Sequence, residues 1–232
     1  MSVERKLVIS LLKLTKNGPV LVESVNEEAR LPSTVTWELL EKLQNENLIY
    51  LKSDKIEVDR TSRLKLAVKV ASLGADVEHI SNLLCWQEFE EIAALALKNN
   101  GYTVQNNVRF KHERKRWEID VVGCKKPLVL CIDCKHWQHA ISSSALKRIV
   151  DLQTQRTLAL ADSLPNVKLK LECVKWERAK FIPSVLSLIP SACKFYERIP
   201  VVPVLQLQDF IYQLPAHTET LKFYLRTFTT LS

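Results

Sequence analysis

Four glycines in 232 residues, one methionine and no long apolar run set the first limits on this chain. A membrane-spanning helix needs about 20 predominantly apolar residues, and no stretch approaches that, so no membrane partner is expected. There is no Gly/Ser-rich linker and no internal repeat, so the parts of the chain are expected to pack together rather than hang on a tether. The opening stretch, MSVERKLVISLLKL, is charged at both ends and lacks a small-residue cleavage site, which favours an amphipathic helix over a secretory signal. Without an export signal the six cysteines are expected to be reduced thiols, and the location cytoplasmic. Cys131 and Cys134 have no second closely spaced pair to complete a zinc site, since Cys85, Cys124, Cys173 and Cys193 are scattered.

Positive charge is plentiful, with a net +7 and a pI near 9.1. Residues 1–60 hold nine Lys/Arg against ten Asp/Glu, and the rest of the chain holds 24 against 16. The positive field therefore belongs to the later part and favours an acidic partner such as nucleic acid.

Apolar periodicity predicts a helix over 3–16, a second over 20–29 and a third beginning at Ser33, with Val35, Leu39, Leu40 and Leu43 on one face. Two short β-like runs around KSDK follow. This order resembles a winged helix-turn-helix over residues 1–60. Glu38, Glu41 and Glu46 against Lys42 alone make its third helix a poor phosphate neighbour, so dimerisation or docking of a protein partner competes with DNA reading. Residues 61–83 read as a helical connector.

From Trp86 the pattern becomes helix, three strands, helix, strand, strand, helix: an α/β domain with a mixed sheet over 84–215 and a tail over 216–232. WQEFEEIAALALKNNGY places Phe89, Ile92, Ala93 and Leu97 on one face, with Gly101 ending the helix. TVQNNVRF, WEIDVVG and LVLCIDCK read as strands, a long helix runs from SSS to about Ala161, and VKLKLECV and IPVVPVL alternate as strands do.

The segment CIDCKHW admits two chemistries, and strand geometry separates them. Alternation puts Cys131, Asp133 and Lys135 on one face and Cys134 on the other, so the two sulfurs cannot converge on one zinc. Asp120, on the preceding strand, can instead come beside Asp133, and two carboxylates make a hard oxygen site for Mg²⁺ or Mn²⁺. Lys135 follows about 6–7 Å along the same face. Glu90 lies on or at the edge of the apolar stripe of the first helix, where a carboxylate needs a compensating cation. Glu88 and Glu91 are expected on the polar side.

The run FEE, GYTV, EID, CIDCKHW resembles the PD-(D/E)xK nuclease superfamily, in particular Mrr-like restriction endonucleases and archaeal Holliday-junction resolvases. The resemblance implies a restriction-endonuclease-like α/β/α core and hydrolysis of DNA phosphodiesters. It further implies that Asp120, Asp133 and the Cys134 main-chain carbonyl ligate the metal, that Lys135 is the catalytic lysine, and that Glu90 orients Lys135 or supports a metal. Ile119 replaces the motif's proline, and Asp133 its commoner Glu or Gln. Arg109, Lys111, Arg114, Lys115 and Arg116 beside this site, with Lys147, Arg148 and Arg156 on the next helix, are candidate phosphate contacts. His136 and His139 are expected to touch phosphate or the loop rather than a metal. A homodimer is expected because two nicks need two sites. The rival readings are a non-catalytic DNA-binding or assembly protein and a ribonuclease on the same fold.

Overall fold

A computed structural model describes residues 2–76, 79–80, 83–135, 142–166, 169–187 and 193–228. Its chain contacts divide into two compact units, 1–89 and 90–232. No described helix is long and apolar enough to cross a membrane.

In the first unit, α1 (Val3–Leu14), α2 (Val22–Ala29), α3 (Ser33–Asn45) and α4 (Arg60–Ser72) surround a small antiparallel sheet of order β1 (Val20–Leu21), β3 (Lys55–Glu57), β2 (Tyr50–Lys52). Leu7, Leu11, Leu40, Leu43, Ile56 and Val70 form its interior. Val20 and Leu21, expected in the second helix, instead pair with Ile56 and Lys55, and α2 starts one residue later. The α3 lysine is engaged: Lys42 reaches Glu4 of α1 at 3.1 Å, while Glu46 takes Lys69 at 2.8 Å. Trp37, Glu38 and Glu41 remain exposed on that helix.

Glu88 corrects the sequence reading. It is not on the polar side of its helix but 2% exposed, bonded to Arg63 Nε at 2.5 Å. The same Arg63 donates to Leu12 O, Thr15 Oγ1 and Leu83 O at 2.7–2.8 Å, so its planar fork ties α1 and α4 to the start of the next helix. Glu88 Oε2 also accepts from Cys85 N at 2.7 Å, capping that helix.

The second unit is a seven-stranded mixed sheet of order β4-β5-β6-β7-β9-β8, with β10 also paired to β7. The strands are β4 (Thr103–His112), β5 (Lys115–Lys125), β6 (Leu128–Lys135), β7 (Arg178–Ser187), β8 (Phe195–Tyr196), β9 (Ile199–Pro203) and β10 (Tyr224–Thr227). Pairs β6–β7 and β7–β9 are parallel and the others antiparallel. Three further helices are α5 (Trp86–Asn99), α6 (Ser143–Ser163) and α7 (Leu207–His217).

α5 ends as Gly101 predicts. Gly101 has φ +78, its N–H bonds Lys98 O, and Tyr102 N bonds Leu97 O, the paired bonds of a Schellman stop. β4 and β5 join through Glu113 and Arg114, both at positive φ, the geometry of a two-residue type I′ hairpin. Gly123 faces α5 so closely that a Cβ there would lie 2.8 Å from Leu97 Cδ1. Its neighbour Val122 packs in the cluster containing Ala159 and Leu160 of α6. Adjacent strand residues point to opposite faces, so α5 and α6 cover opposite sides of the sheet.

The VKLKLECV strand is not formed over its described residues. Leu169, Leu171 and Cys173 are buried in the α6-side cluster, but the backbone carries no ladder and turns into a 3₁₀ helix at Glu172–Lys175. The strand at the sheet centre is β7, and the expected tail supplies β10.

Candidate active site

Asp120, Asp133, Lys135 and Glu90 come from β5, β6 and α5 and form one electrostatic cluster. β5 and β6 run in the register Val121↔Ile132, which carries on to set Asp120 opposite Asp133. The ladder between β4 and β5 skips Asn107 and Asp120, and Asn107 has φ +53. Trp117 and Ile119 before this interruption, and Val122 and Cys124 after it, belong to the same apolar cluster. Strict alternation therefore fails at Asp120. Its Oδ2 accepts from Cys134 N at 2.7 Å, joining the two strands where the ladder stops.

Asp133 is 1% exposed and held by two cations. Lys135 Nζ lies 3.0 Å from Oδ1 and 2.8 Å from Oδ2, with hydrogen-bond geometry only at Oδ1. Arg156 Nη1 of α6 lies 2.5 Å from the same Oδ1. Two such partners compensate a carboxylate buried to this degree. The Lys135 side chain itself is 30% exposed.

Glu90 is the opposite case. It is 4% exposed, and Oε1 has no hydrogen-bond partner among the described residues. Burial, then the charge of Asp120, push its carboxyl up to about 7, against a smaller opposing effect of the Asn107 hydrogen bond. Burial raises Asp120 as well, with the Cys134 N–H acting against it. A buried and a half-buried acid thus repel each other, with Lys135 and Arg156 offsetting part of the effect at Asp120. Glu90's value lies above the 4.5 of an unfolded chain, so the native state retains a proton the unfolded state has released between pH 4.5 and about 7. Stability supplied by the protonated form is lost as pH rises through that window. Glu90→Gln is expected to raise the stability of the metal-free protein above pH 7 by about 1–3 kcal/mol and to flatten the profile between pH 5 and 7. Thermal melts in EDTA across that range check it, and an unchanged profile would show that Glu90 carries no unfavourable charge.

Cys131 and Cys134 stay apart, whereas the thiols of Cys124 and Cys173 meet. Cys131 lies in the α6-side cluster, where burial raises its thiol. The thiol of Cys134, also raised by burial, senses Asp120 and then Glu90. The Cys131 carbonyl accepts from Gln153 Nε2 at 2.8 Å and Ser184 Oγ at 3.1 Å.

A groove of about 920 Å³ opens between the β4–β5 hairpin and α6. Arg109, Lys111, Lys115 and Arg116 contribute positive charge to it, and Phe110, Trp117, Leu152 and Leu169 contribute apolar surface. Arg156 lines the groove and also holds Asp133, while Glu90, Asp120, Asp133 and Lys135 themselves do not line it. Arg109 is partly engaged by Glu118 at 3.1 Å. Arg114 sits at the hairpin tip and does not line the groove. Nor do Lys147, which pairs with Asp151 at 3.2 Å, and Arg148. His136 and His139 lie outside the described residues.

Two polar groups on α6 were missed as site residues: Gln153 and, as a partner of Asp133, Arg156. Gln153 and Thr157 interrupt the buried series Leu146, Val150, Leu160, a signal visible in the sequence. Arg156 carries no such mark, since its spacing resembles that of any exposed helix cation.

Among the described residues, no three His, Cys, Asp or Glu side chains stand in an arrangement that could hold one metal ion. The chemistry of Glu90 and Asp120 nonetheless fits a hard cation, because their orphaned oxygen and mutual repulsion are what a divalent ion would relieve.

A curated relative, an uncharacterized protein of Archaeoglobus fulgidus, is 28% identical over 130 residues, covering 56% of this chain and 91% of the relative. Solved structures with partial likeness include VC1899 from Vibrio cholerae (13% identity, TM-score 0.41, 94% of this chain and 52% of that one). Can2 from Sulfobacillus thermosulfidooxidans, in complex with cyclic tetra-adenylate, gives 13%, 0.36, 91% and 50%. A protein of unknown function, AF1548, gives 14%, 0.29, 43% and 46%. The chain spans about half the length of these three structures. A family model described as NERD, nuclease-related domain, matches residues 86–178.

Proposed function

We propose that the second unit hydrolyses DNA phosphodiester bonds with the help of Mg²⁺ or Mn²⁺. The observation that carries this reading is the buried Glu90, with an orphaned oxygen, set against the half-buried Asp120 beside a partly exposed lysine, inside the segment that matches the nuclease-related model. Glu90, Asp120 and the Cys134 carbonyl would hold the cation. When bound it supplies a water of lowered pKa and positive charge against the phosphate. Lys135 presents its ammonium to the scissile phosphate and stabilises the charge that develops there. Asp133 keeps that ammonium in place, and direct ligation by Asp133 requires release from Lys135 or Arg156. Arg156 and the hairpin cations carry the neighbouring phosphates along the groove.

The test is a cleavage survey over plasmid, branched and single-stranded DNA and over RNA, with Mg²⁺, Mn²⁺ or EDTA. Divalent-dependent DNA cleavage is expected, reduced by about 10²–10³-fold or more in Asp120→Ala, with DNA binding kept or tightened because a negative charge is removed. RNA as the only substrate would move the reading to a ribonuclease. Cleavage that persists in Asp120→Ala would overturn the site.

A second reading, nucleic-acid binding without hydrolysis, draws on Asp133: two cations already satisfy it, and no three-ligand group stands assembled among the described residues. Absence of cleavage in the whole survey, with binding intact, decides for it.

The first unit supports a winged-helix reading through its helix order and its β1-β3-β2 sheet. Exposed Glu38 and Glu41 on α3, with Lys42 tied to Glu4, favour dimerisation or docking of a protein partner over phosphate contact.

A further inference from the structure

We infer that the groove beside the acidic cluster is a seat for an unpaired nucleobase, stacked on Trp117, so that the second unit engages single-stranded or flipped-out nucleotides ahead of intact duplex. This inference rests on the nucleic-acid reading above and adds the form of substrate. The groove combines the two ingredients of single-strand recognition, a cationic track and an aromatic face.

Lys115 and Arg156 supply the cations on the side of Trp117, and Arg109, Lys111 and Arg116 flank the groove from the alternate positions of the hairpin. Trp117 supplies the face: Lys115 Nζ sits 3.7 Å from its ring centroid, and Lys115 is an exposed side chain. The ring is therefore covered there by a movable cation and not by the packed interior. A base can take that place while the ammonium moves to a phosphate. Leu152, 38% exposed on α6, gives the opposite wall an apolar surface. The volume, about 920 Å³, is within the range of sites that enclose small organic ligands.

Geometry excludes the stacked duplex from this seat. In a duplex the faces of each base are covered by its neighbours, so only an unpaired or extruded base can lie on an indole. Arg156, which lines the seat and bonds Asp133, links the seat to the acidic cluster.

The experiment measures affinity in EDTA, where no cleavage is required, for labelled oligo(dT), oligo(U), a blunt duplex and thymidine monophosphate at fixed salt. Single strands are expected to bind more tightly than duplex. Trp117→Leu, which keeps apolar packing, should weaken single-strand binding by roughly 5- to 150-fold and leave duplex affinity and the salt slope unchanged. Trp117→Phe should retain most of it. Comparable binding of thymidine monophosphate would make the seat a free-nucleotide site and overturn the polymer reading. Equal losses on single strand and duplex, or none, would overturn the stacking seat. Should the leucine variant misfold, photocrosslinking of bromouracil-substituted DNA to the unmodified protein serves instead. An adduct at Trp117 supports the seat, and adducts confined to other residues refute it. Stacking at Trp117 without metal-dependent cleavage would defeat the nuclease proposal alone, and cleavage unaffected by Trp117→Leu would defeat this inference alone.

Discussion

Lys135→Ala is expected to reduce single-turnover DNA cleavage by about 10²–10³-fold with little loss of stability. Arg156→Ala should reduce cleavage less and destabilise the second unit by about 3 kcal/mol. The difference follows from their shared partner. Asp133 is 1% exposed and bonded to both cations, so removing either leaves it half-compensated. Lys135 is partly solvated, and Arg156 remains to neutralise Asp133 when Lys135 is cut back. Without Arg156, the carboxylate keeps only a lysine whose charge the phosphate also needs. Cleavage rates at saturating protein, together with thermal melts of both variants, check the pair. Near-normal cleavage by Lys135→Ala would remove that residue from the mechanism whatever the melts show.

Arg63→Leu should destabilise the first unit by about 3–5 kcal/mol, the largest stability effect expected of any single change in the chain. Arg63 and Glu88 are 4% and 2% exposed, and the guanidinium also satisfies two carbonyls and a hydroxyl. Deleting it leaves a buried carboxylate charge and unpaired acceptors together. Arg63→Lys should recover only part of the loss, because an ammonium cannot reproduce the planar fork. The double change Arg63→Leu with Glu88→Leu should cost less than the sum of the single changes, since it leaves no lone charge. Hydrogen exchange of the α1 and α4 amides reports the unit directly. Protection unchanged in Arg63→Leu would show that water already compensates the pair.

How far these features could be read from sequence depended on what kind of pattern each leaves. The β6 strand and the α5 stop were legible, because an apolar run ending in a polar triplet and a helix ending in Gly101 each have a local cause. That Glu90, Asp120, Asp133 and Lys135 fall into one cluster was also legible, through their spacing on strands and helix and the resemblance they carry. The VKLKLECV segment misled because alternation reports which side chains face a core, not whether the backbone has a partner. Leu169, Leu171 and Cys173 are buried as alternation implies, yet they line the α6-side cluster without a ladder. β7 was hidden by Pro183, a residue that argues against a central strand. It is tolerated within Ile182–Ser184, a stretch that lies between the segments paired to β10 and β9. Arg63 and Arg156 were hidden for a different reason. A buried arginine is identified by its distant acceptors, and those exist only once the chain has folded.

Gly123 has a consequence beyond close packing. Its missing side chain lets Leu97 rest on β5, and Leu97 and Glu90 lie on the same rigid helix. The approach of α5 to the sheet therefore governs how strongly Glu90 feels Asp120. Two acids kept at odds by a hydrogen atom, two turns farther along the helix, form a site whose charge is tuned by steric means. Selection on the bulk of one strand residue could raise or lower the appetite of the site for a cation without altering any residue that would touch it.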